Sequence, residues 1–262
     1  MPAGYAPDPE IRGPDHDRMV SHADTVDDAV TRVRAARHDP DRVLLEGMHA
    51  LKHAVRFGAD VEVVVTPDAT ALQQLFDGLA ADVSLPVRPL ELDAETWRTL
   101  VARDLPSPAL SVARRPRVTP EQVLTAAGRI VVLEQPRHLG NVGAVVRVAA
   151  AAAAGGVLVV GSSDPWHPTA VRGAAGLQFA LPVTRADHLP RIDRPLVALD
   201  GGGAPLGPGV LPSDAVLLVG TERGGLSDDL RRRADARVAI PMRDGVSSLN
   251  LATAVAVALY TP

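Results

Sequence analysis

Apolar positions along the chain follow helical and strand periods in turn. Between residues 28 and 116, short β-branched runs predict strands, and the amphipathic stretches between them predict helices. The predicted strands begin at Val43, Val61, Val87 and Ala109, and the predicted helices occupy residues 27–38, 47–58, 69–80 and 93–104. This alternation indicates a small α/β domain.

The alternation becomes more regular between residues 129 and 260. Strands are predicted at 129–134, 156–161, 179–185, 195–200, 215–220 and 236–242, and helices at 141–154, 168–176, 226–234 and 247–260. Strands that alternate with helices predict a mainly parallel sheet with helices on both faces. The glycine-rich stretch at 201–209 is predicted to be a flexible loop that does not bind phosphate.

Composition and charge divide the chain into three parts. A charged, proline-containing connector at 114–122 marks the boundary between a small domain at 28–116 and a second domain at 117–262. Residues 1–27 are rich in Pro, Asp and Gly, carry two arginines against six acids, and are predicted to form a flexible acidic tail. The rest of the chain is nearly neutral, so binding to RNA would require a local arginine patch.

Some classes of protein are disfavoured by what the sequence lacks. There are no cysteines, which excludes disulfides and cysteine nucleophiles. The eight histidines show no metal-ligand spacing, so no metal site is expected. We expect a cytoplasmic protein, because there is no signal-peptide pattern and no apolar stretch long enough for a membrane helix.

The first segment suited to chemistry is HLGNVGAVVR, at the carboxyl end of a predicted strand. Asn141 stands at the entry of the following helix, where an asparagine can cap free amides. Arg147 follows six residues later, within roughly 120° of Asn141 around the helix. Taken alone, the segment also fits a capping asparagine followed by a solvated arginine.

Two further segments lie at strand ends. In VGTERGGLS, Gly220 ends a strand and Glu222 precedes paired glycines, which let a ligand approach the backbone. In IPMRDGVSSLN, Ser248 and Asn250 open an apolar helix. A βα turn and a serine cap are the structural alternatives, although an asparagine buried in an apolar stretch needs hydrogen-bond partners.

Together and in this order, the three segments resemble the motifs of the SpoU/TrmH family, a branch of the SPOUT class of RNA 2′-O-ribose methyltransferases. The matching residues are Asn141, Gly143 and Arg147, then Gly220, Glu222, Gly225, Leu226 and Ser227, then Ile240, Pro241, Met242, Gly245, Ser248, Leu249 and Asn250. The resemblance covers residues 129–260. Residues 28–116 also look like the small substrate-binding domain that precedes the catalytic domain in many members. EQPRHLGN departs from the aspartate-containing start of the family's first motif.

The resemblance implies a SPOUT-type α/β fold with a trefoil knot, S-adenosylmethionine as the cofactor and a homodimer, for which the apolar last helix offers a face. The cofactor-binding residues that it implies are Leu199, Gly220, Ile240, Met242 and Leu249. The catalytic residues that it implies are Arg147, which draws the proton from the ribose hydroxyl, and the orienting residues Asn141, Glu222, Ser248 and Asn250. Because a guanidinium stays protonated, binding of a substrate phosphate is an alternative role for Arg147.

Arg172 matches a substrate-contacting arginine of family members, and a solvated helix arginine is the alternative. Trp166 and His167, on the adjoining loop, either stack on a base or anchor the loop.

The resemblance implies methyl transfer to RNA. The two-domain plan favours ribosomal over transfer RNA, including the sites at which methylation gives antibiotic resistance. Two alternatives stay open: an enzyme of this fold that acts on a small molecule or nucleoside, and a non-catalytic RNA-binding protein. The neutral N-terminal domain motivates the first alternative, and the presence of the motif residues argues against the second.

Overall fold

The computed structural model describes residues 25–220 and 224–262. Most of the predicted tail therefore lies outside the described residues. Its last three residues begin the first helix: the Thr25 side chain accepts a hydrogen bond from the Asp28 amide at 3.2 Å and caps that helix.

The N-terminal lobe is a four-stranded sheet with helices, as the sequence predicts. Its strands are β1 (Arg42–Glu46), β2 (Val61–Thr66), β3 (Leu90–Glu91) and β4 (Leu110–Arg114), in the order β1-β4-β2-β3. β4 runs antiparallel to both of its neighbours, and β3 runs parallel to β2. The helices are α1 (Val26–Ala35), α2 (Met48–Arg56), α3 (Ala69–Leu79) and α4 (Ala94–Leu100).

The second lobe contains a six-stranded sheet in the order β10-β8-β9-β5-β6-β7, and every pairing in it is parallel. The strands are β5 (Ile130–Glu134), β6 (Gly156–Val160), β7 (Val183–Ala186), β8 (Leu196–Pro205), β9 (Val216–Val219) and β10 (Ala236–Ala239). The helices are α5 (Pro120–Thr125), α6 (Leu139–Ala151), α7 (Pro168–Ala174), α8 (Asp228–Arg233) and α9 (Leu251–Tyr260). The predicted parallel sheet is confirmed.

Helices cover both faces of this sheet, because successive side chains of a strand point to opposite sides. In β5, Val131 and Leu133 belong to the hydrophobic cluster that includes α6 and α9. Ile130 and Val132 belong to a second cluster, which includes α5 and α8.

A single hydrophobic cluster also joins the two lobes. It contains Leu45 and Met48 from the N-terminal lobe together with Val142 and Val146 from α6. Gly176, which has a φ of 76°, lies so close to α2 that a Cβ there would be 2.5 Å from the Ala50 carbonyl oxygen. The lobes are therefore closely packed against each other.

Two segments differ from their predicted structure. The predicted loop at 201–209 is wrong for its first half, because β8 continues to Pro205 by pairing with β10 after a bulge. A Cβ at Gly203 would lie 2.5 Å from backbone atoms of β10, so only glycine allows this pairing. The connector contains α5, which has a capping box formed by Thr119 and Gln122.

A third difference concerns the predicted strand at 179–185. Its first residues belong to a 3₁₀ turn at Leu177–Ala180, and β7 begins at Val183. The implied trefoil knot stays a prediction. Within the described residues, no helix is long and apolar enough to cross a membrane, and no group of three or more acidic or histidine side chains converges on a metal-sized site.

The carboxyl-terminal end of the chain is held by one arginine. Arg129 precedes β5, and its guanidinium donates to the carbonyl oxygens of Thr261 at 2.7 Å and Leu211 at 3.0 Å. Three further carbonyls, those of Pro212, Ala258 and Leu259, accept from the same group at 3.2–3.4 Å. One charged side chain thus satisfies carbonyls at the end of α9 that the helix leaves unpaired.

Candidate active site

The first motif lies on the first two turns of α6. The helix begins at Leu139 with His138 as its N-cap, so Asn141 belongs to the first turn and is not the predicted cap. Gly143 packs against α7, and a Cβ there would lie 2.2 Å from the Ala170 carbonyl oxygen. Glycine is therefore required for the contact between α6 and α7.

The third motif ends at the start of α9, where Asn250 is the N-cap. Its Oδ1 accepts a hydrogen bond from the Ala252 amide at 2.9 Å, and neither Ser247 nor Ser248 caps the helix. The predicted helix start at residue 247 is therefore wrong. The expectation that Asn250 is buried is also wrong, because the residue is exposed. Its Nδ2 donates to Asn141 Oδ1 at 3.2 Å, which joins the third motif to the first.

The second motif follows β9 and is built on close backbone contact. A Cβ at Gly220 would lie 2.0 Å from the carbonyl carbon of Gly225, so no larger residue fits there without a backbone shift. Ser227 caps α8 by accepting from the Leu230 amide at 3.2 Å. The Ser227 amide donates to Glu134 Oε2 at 2.7 Å, which fixes the loop to the end of β5. Glu222 lies outside the described residues.

Residues 199–201 within β8 and the segments that follow β9 and β10 form one pocket at the carboxyl edge of the parallel sheet. All five predicted cofactor-binding residues line this pocket: Leu199, Gly220, Ile240, Met242 and Leu249. Ser248, predicted to be catalytic, lines it as well. Further lining residues, which were not among the predicted cofactor-binding residues, are Asp200, Gly201, Gly225, Ser247, Leu251 and Ala254.

The loop between β10 and α9, which contributes Met242 and Ser247–Leu249 to this pocket, makes few backbone hydrogen bonds of its own. Among the described residues, the amides of residues 242–249 donate a single backbone hydrogen bond, from Val246 to the Arg243 carbonyl at 3.0 Å. Met242 and Leu249 leave 37% and 40% of their surface exposed. Unpaired amides beside exposed apolar side chains suit a ligand with a flat apolar ring and hydrogen-bonding edges, such as adenine.

Asp200 is the acidic residue among the described residues that line this pocket. Its Oδ1 accepts from the Gly202 amide at 2.9 Å, and its Oδ2 lies 3.1 Å from Arg231 Nε. Sequence reasoning missed it, although an aspartate at the carboxyl end of an apolar strand is a usable signal. Because both carboxylate oxygens have partners, Asp200 holds β8 against α8.

Arg147 and Arg172 lie in a different place, a cleft between the two lobes that we call the interlobe cleft. It has a volume of about 290 Å³ and is lined from both lobes, with Arg147 on α6 and Arg172 on α7. Arg147 is absent from the lining of the pocket at the carboxyl edge of the sheet, which we call the donor pocket. A six-residue offset turns Arg147 roughly 120° away from Asn141, so the two side chains face different surroundings.

Three side chains near the interlobe cleft can be assigned. Arg172 forms an ion pair with Glu46 of the N-terminal lobe at 3.2 Å, so it is more than a solvated helix arginine. Trp166 is 4% exposed and donates from Nε1 to the Val183 carbonyl at 3.1 Å. His167 Nδ1 accepts from the Thr169 amide at 3.1 Å and caps α7. Trp166 and His167 therefore anchor the loop, and Trp166 has no face free for a base.

The second lobe matches the sequence model of a known protein family. The sequence model of the SpoU rRNA Methylase family matches residues 128–260, which include all three motifs. The chain belongs to the SpoU rRNA methylase family. The family predicted from the motifs is confirmed.

Curated relatives of this SpoU family member match along most of its length. A 23S rRNA (adenosine(1067)-2′-O)-methyltransferase of Streptomyces azureus is 27% identical over 253 residues, which are 91% of this chain and 93% of the relative. An uncharacterized tRNA/rRNA methyltransferase of Mycobacterium bovis is 32% identical over 206 residues, 72% of this chain and 69% of the relative.

Solved structures of SpoU enzymes have the same fold. An AdoMet-bound rRNA methyltransferase from Sinorhizobium meliloti superposes with a TM-score of 0.68 at 25% identity, covering 88% of this chain and 92% of that one. The SpoU methyltransferase AviRb from Streptomyces viridochromogenes, in complex with AdoMet, reaches 0.71 at 23% identity, covering 88% and 95%. The likeness extends over both lobes, and the predicted α/β SpoU fold is confirmed.

Proposed function

We propose that this chain transfers a methyl group from S-adenosylmethionine to a ribose 2′-hydroxyl of ribosomal RNA. The observation that carries the proposal is the single pocket in which the five predicted cofactor-binding residues meet. The curated relatives that act on 23S rRNA, at adenosine in one case and at guanosine in another, support the reaction and the substrate class.

The donor pocket suits S-adenosylmethionine in its chemistry. Gly220 and the loop between β10 and α9 would hold the adenine through backbone groups, and Ile240, Met242 and Leu249 would cover its faces. When bound, S-adenosylmethionine supplies an electrophilic methyl group on a sulfonium. The Sinorhizobium meliloti enzyme, described as AdoMet-bound, supports this choice of cofactor.

The residues of the chain have to place and deprotonate a ribose hydroxyl. Methylation of the hydroxyl oxygen releases the hydroxyl proton, and in our proposal an oxygen of the RNA phosphate held by Arg147 accepts it. In our proposal, the Asn141–Asn250 pair and Ser248 orient the ribose at the edge of the donor pocket. Glu222, predicted to act with them, lies outside the described residues.

Arg147 acts in this proposal through the RNA phosphate. A guanidinium stays protonated in proteins, and its planar fork matches phosphate oxygens. Arg147 lines the interlobe cleft, where it and Arg172 can hold the RNA backbone near the target ribose. This placement favours the phosphate-binding role of Arg147 over direct proton abstraction.

We further propose that the protein works in the cytoplasm as a homodimer. The outer side of α9 carries Val257 and Tyr260, which are 37% and 63% exposed although the helix is apolar throughout. Exposed apolar residues on one helix are suited to pairing with a second copy.

The test is transfer of labelled methyl groups to deproteinised ribosomal RNA. We expect incorporation with the wild-type chain, a decrease of at least 100-fold with Arg147→Ala, and normal incorporation with Arg98→Ala. Arg98 is an exposed arginine of α4 that lies outside both pockets, so it controls for the loss of charge. Equal labelling by the wild type and Arg147→Ala would refute the role of Arg147, and no labelling by the wild type would refute the function.

A further inference from the structure

The interlobe cleft is bounded by elements from both lobes. The turn between β1 and α2 and the loop at 103–107 line one side, and α6 and α7 line the other. The ionisable lining residues are Glu46, His49, His53, Arg103, Arg147 and Arg172. Arg103 has no counterpart among the residues that the family resemblance implies.

The lining of the cleft carries an excess of positive charge. Its single carboxylate, Glu46, is 3.2 Å from Arg172 and 3.8 Å from Arg37. Within residues 25–220 and 224–262, the side chains of Arg103 and Arg147 form no hydrogen bond or ion pair. Two guanidinium groups in the cleft are therefore not neutralised by any described carboxylate, in a chain whose formal net charge is −4.

The cleft is preformed by the packing between the lobes. His53 Nδ1 lies 2.8 Å from the Ala175 carbonyl oxygen, and burial lowers the pKa of His53, so its ring is neutral at pH 7. Gly176 and Ala50 are in close backbone contact beside it. The positive charge of the cleft thus comes from arginines of both lobes.

We propose that the interlobe cleft binds the phosphate backbone of the substrate RNA. The N-terminal lobe supplies Arg103 as a phosphate ligand, and the second lobe supplies Arg147 and Arg172. This inference rests on the proposed function. Arginine forks bind phosphates in pairs of hydrogen bonds, and such contacts position a strand without reading its sequence. Glu46 is a positioning residue that holds the Arg172 guanidinium toward the cleft.

The helix α6 connects this cleft with the donor pocket. Asn141 and Arg147 are separated by roughly 9 Å along the helix axis, at about 1.5 Å per residue. A strand whose phosphates lie on Arg147 and Arg103 therefore passes within a nucleotide or two of the Asn141–Asn250 pair. The N-terminal lobe thereby selects which ribose reaches the donor.

The experiment measures binding of the full chain to labelled, deproteinised ribosomal RNA over a series of salt concentrations. For Arg103→Ala we expect the dissociation constant to rise about tenfold and the slope of log K against log salt to decrease by about 1. The KM for RNA should rise by a similar factor while kcat and the affinity for S-adenosylmethionine stay within twofold of the wild type. Arg103→Lys should recover part of the affinity for RNA, because lysine keeps the positive charge but cannot form the paired hydrogen bonds of a guanidinium.

Arg98→Ala is the matched control, since it removes the same charge from an exposed position of the same lobe outside the cleft. Wild-type affinity and salt slope in Arg103→Ala would overturn the proposal, as would an equal loss in Arg98→Ala. If these results accompany normal methylation by the wild type, the cleft assignment fails and the proposed function stands. If the wild type labels no RNA while Arg103→Ala still weakens binding, the function fails and the cleft stands.

Discussion

Asn250 at the start of α9 donates a hydrogen bond from Nδ2 to Oδ1 of Asn141, at a distance of 3.2 Å and across 109 positions of sequence. The same Asn250 side chain accepts from the Ala252 amide at 2.9 Å. One amide group thus caps a helix with its oxygen and fixes the first motif with its nitrogen. The two tasks can be separated by mutation.

Asn250→Asp keeps the capping oxygen and removes the donor. We expect the free energy of unfolding to stay within about 0.5 kcal/mol of the wild type, because aspartate caps helices as well as asparagine does. Methylation should fall at least tenfold, since a carboxylate faces the Asn141 oxygen without a proton to share. Asn250→Ala should lose activity together with about 1 kcal/mol of stability. Full activity of the aspartate variant in a methyl-transfer assay would show that the amide pair has no role in the reaction.

Gly220→Ala should abolish binding of S-adenosylmethionine. The added methyl group would lie 2.0 Å from the Gly225 carbonyl carbon, so the loop that lines the donor pocket must move. Calorimetric titration measures the effect. Gly207→Ala is the control, because a Cβ at Gly207 meets no atom within 4 Å and Gly207 lies outside the pocket. Unchanged affinity in the Gly220 variant would contradict the assignment of this loop to the cofactor.

Arg129→Ala should destabilise the fold by about 3 kcal/mol without a direct effect on the donor pocket. The substitution leaves five carbonyl oxygens without their charged donor, and hydrogen bonds to charged groups are each worth about 1.5–3 kcal/mol at most. Urea unfolding measures the free energy of unfolding of this variant. Arg191→Ala, which changes an exposed arginine, is the control. A loss below about 1 kcal/mol would mean that water replaces the guanidinium.

Val257→Asp should convert the proposed homodimer into a monomer. A carboxylate on the outer side of α9 cannot be buried against a second copy without a partner charge. Light scattering gives the mass of each species. Leu79→Asp places the same charge on α3, at a residue that is 39% exposed, and should leave the mass unchanged. A monomeric wild type, or a dimer in both variants, would exclude α9 as the interface.

The parallel sheet of the second lobe was predictable because its strands are marked by short apolar runs in the local sequence. Apolar runs such as RIVVLE and AVLLVG form buried parallel strands, and the polar and glycine residues that follow these runs mark the strand ends. The cofactor-binding residues followed from the motif order, and the structure brings all five into one pocket. Local patterns and family motifs therefore located the strand ends and the pocket.

Features that depend on distant pairings were not predictable. The extension of β8 to Pro205 requires β10 beside it, and the glycine-rich sequence alone indicates a loop. Arg147 faces the interlobe cleft because α2 and α7 close that space, which no periodicity in α6 reveals. Asn250 lies in an apolar sequence and is exposed all the same, because α9 begins only at Leu251.

Methylation of a ribose hydroxyl leaves a 2′-O-methylated nucleoside, which can be identified after digestion of the RNA. Ribosomal RNA treated with the wild-type chain and methyl-labelled S-adenosylmethionine is digested to nucleosides and analysed by mass spectrometry. We predict a single 2′-O-methylated nucleoside that is absent after treatment with Arg147→Ala. A label on a base, or a 2′-O-methyl yield that is the same with the variant, would contradict the account.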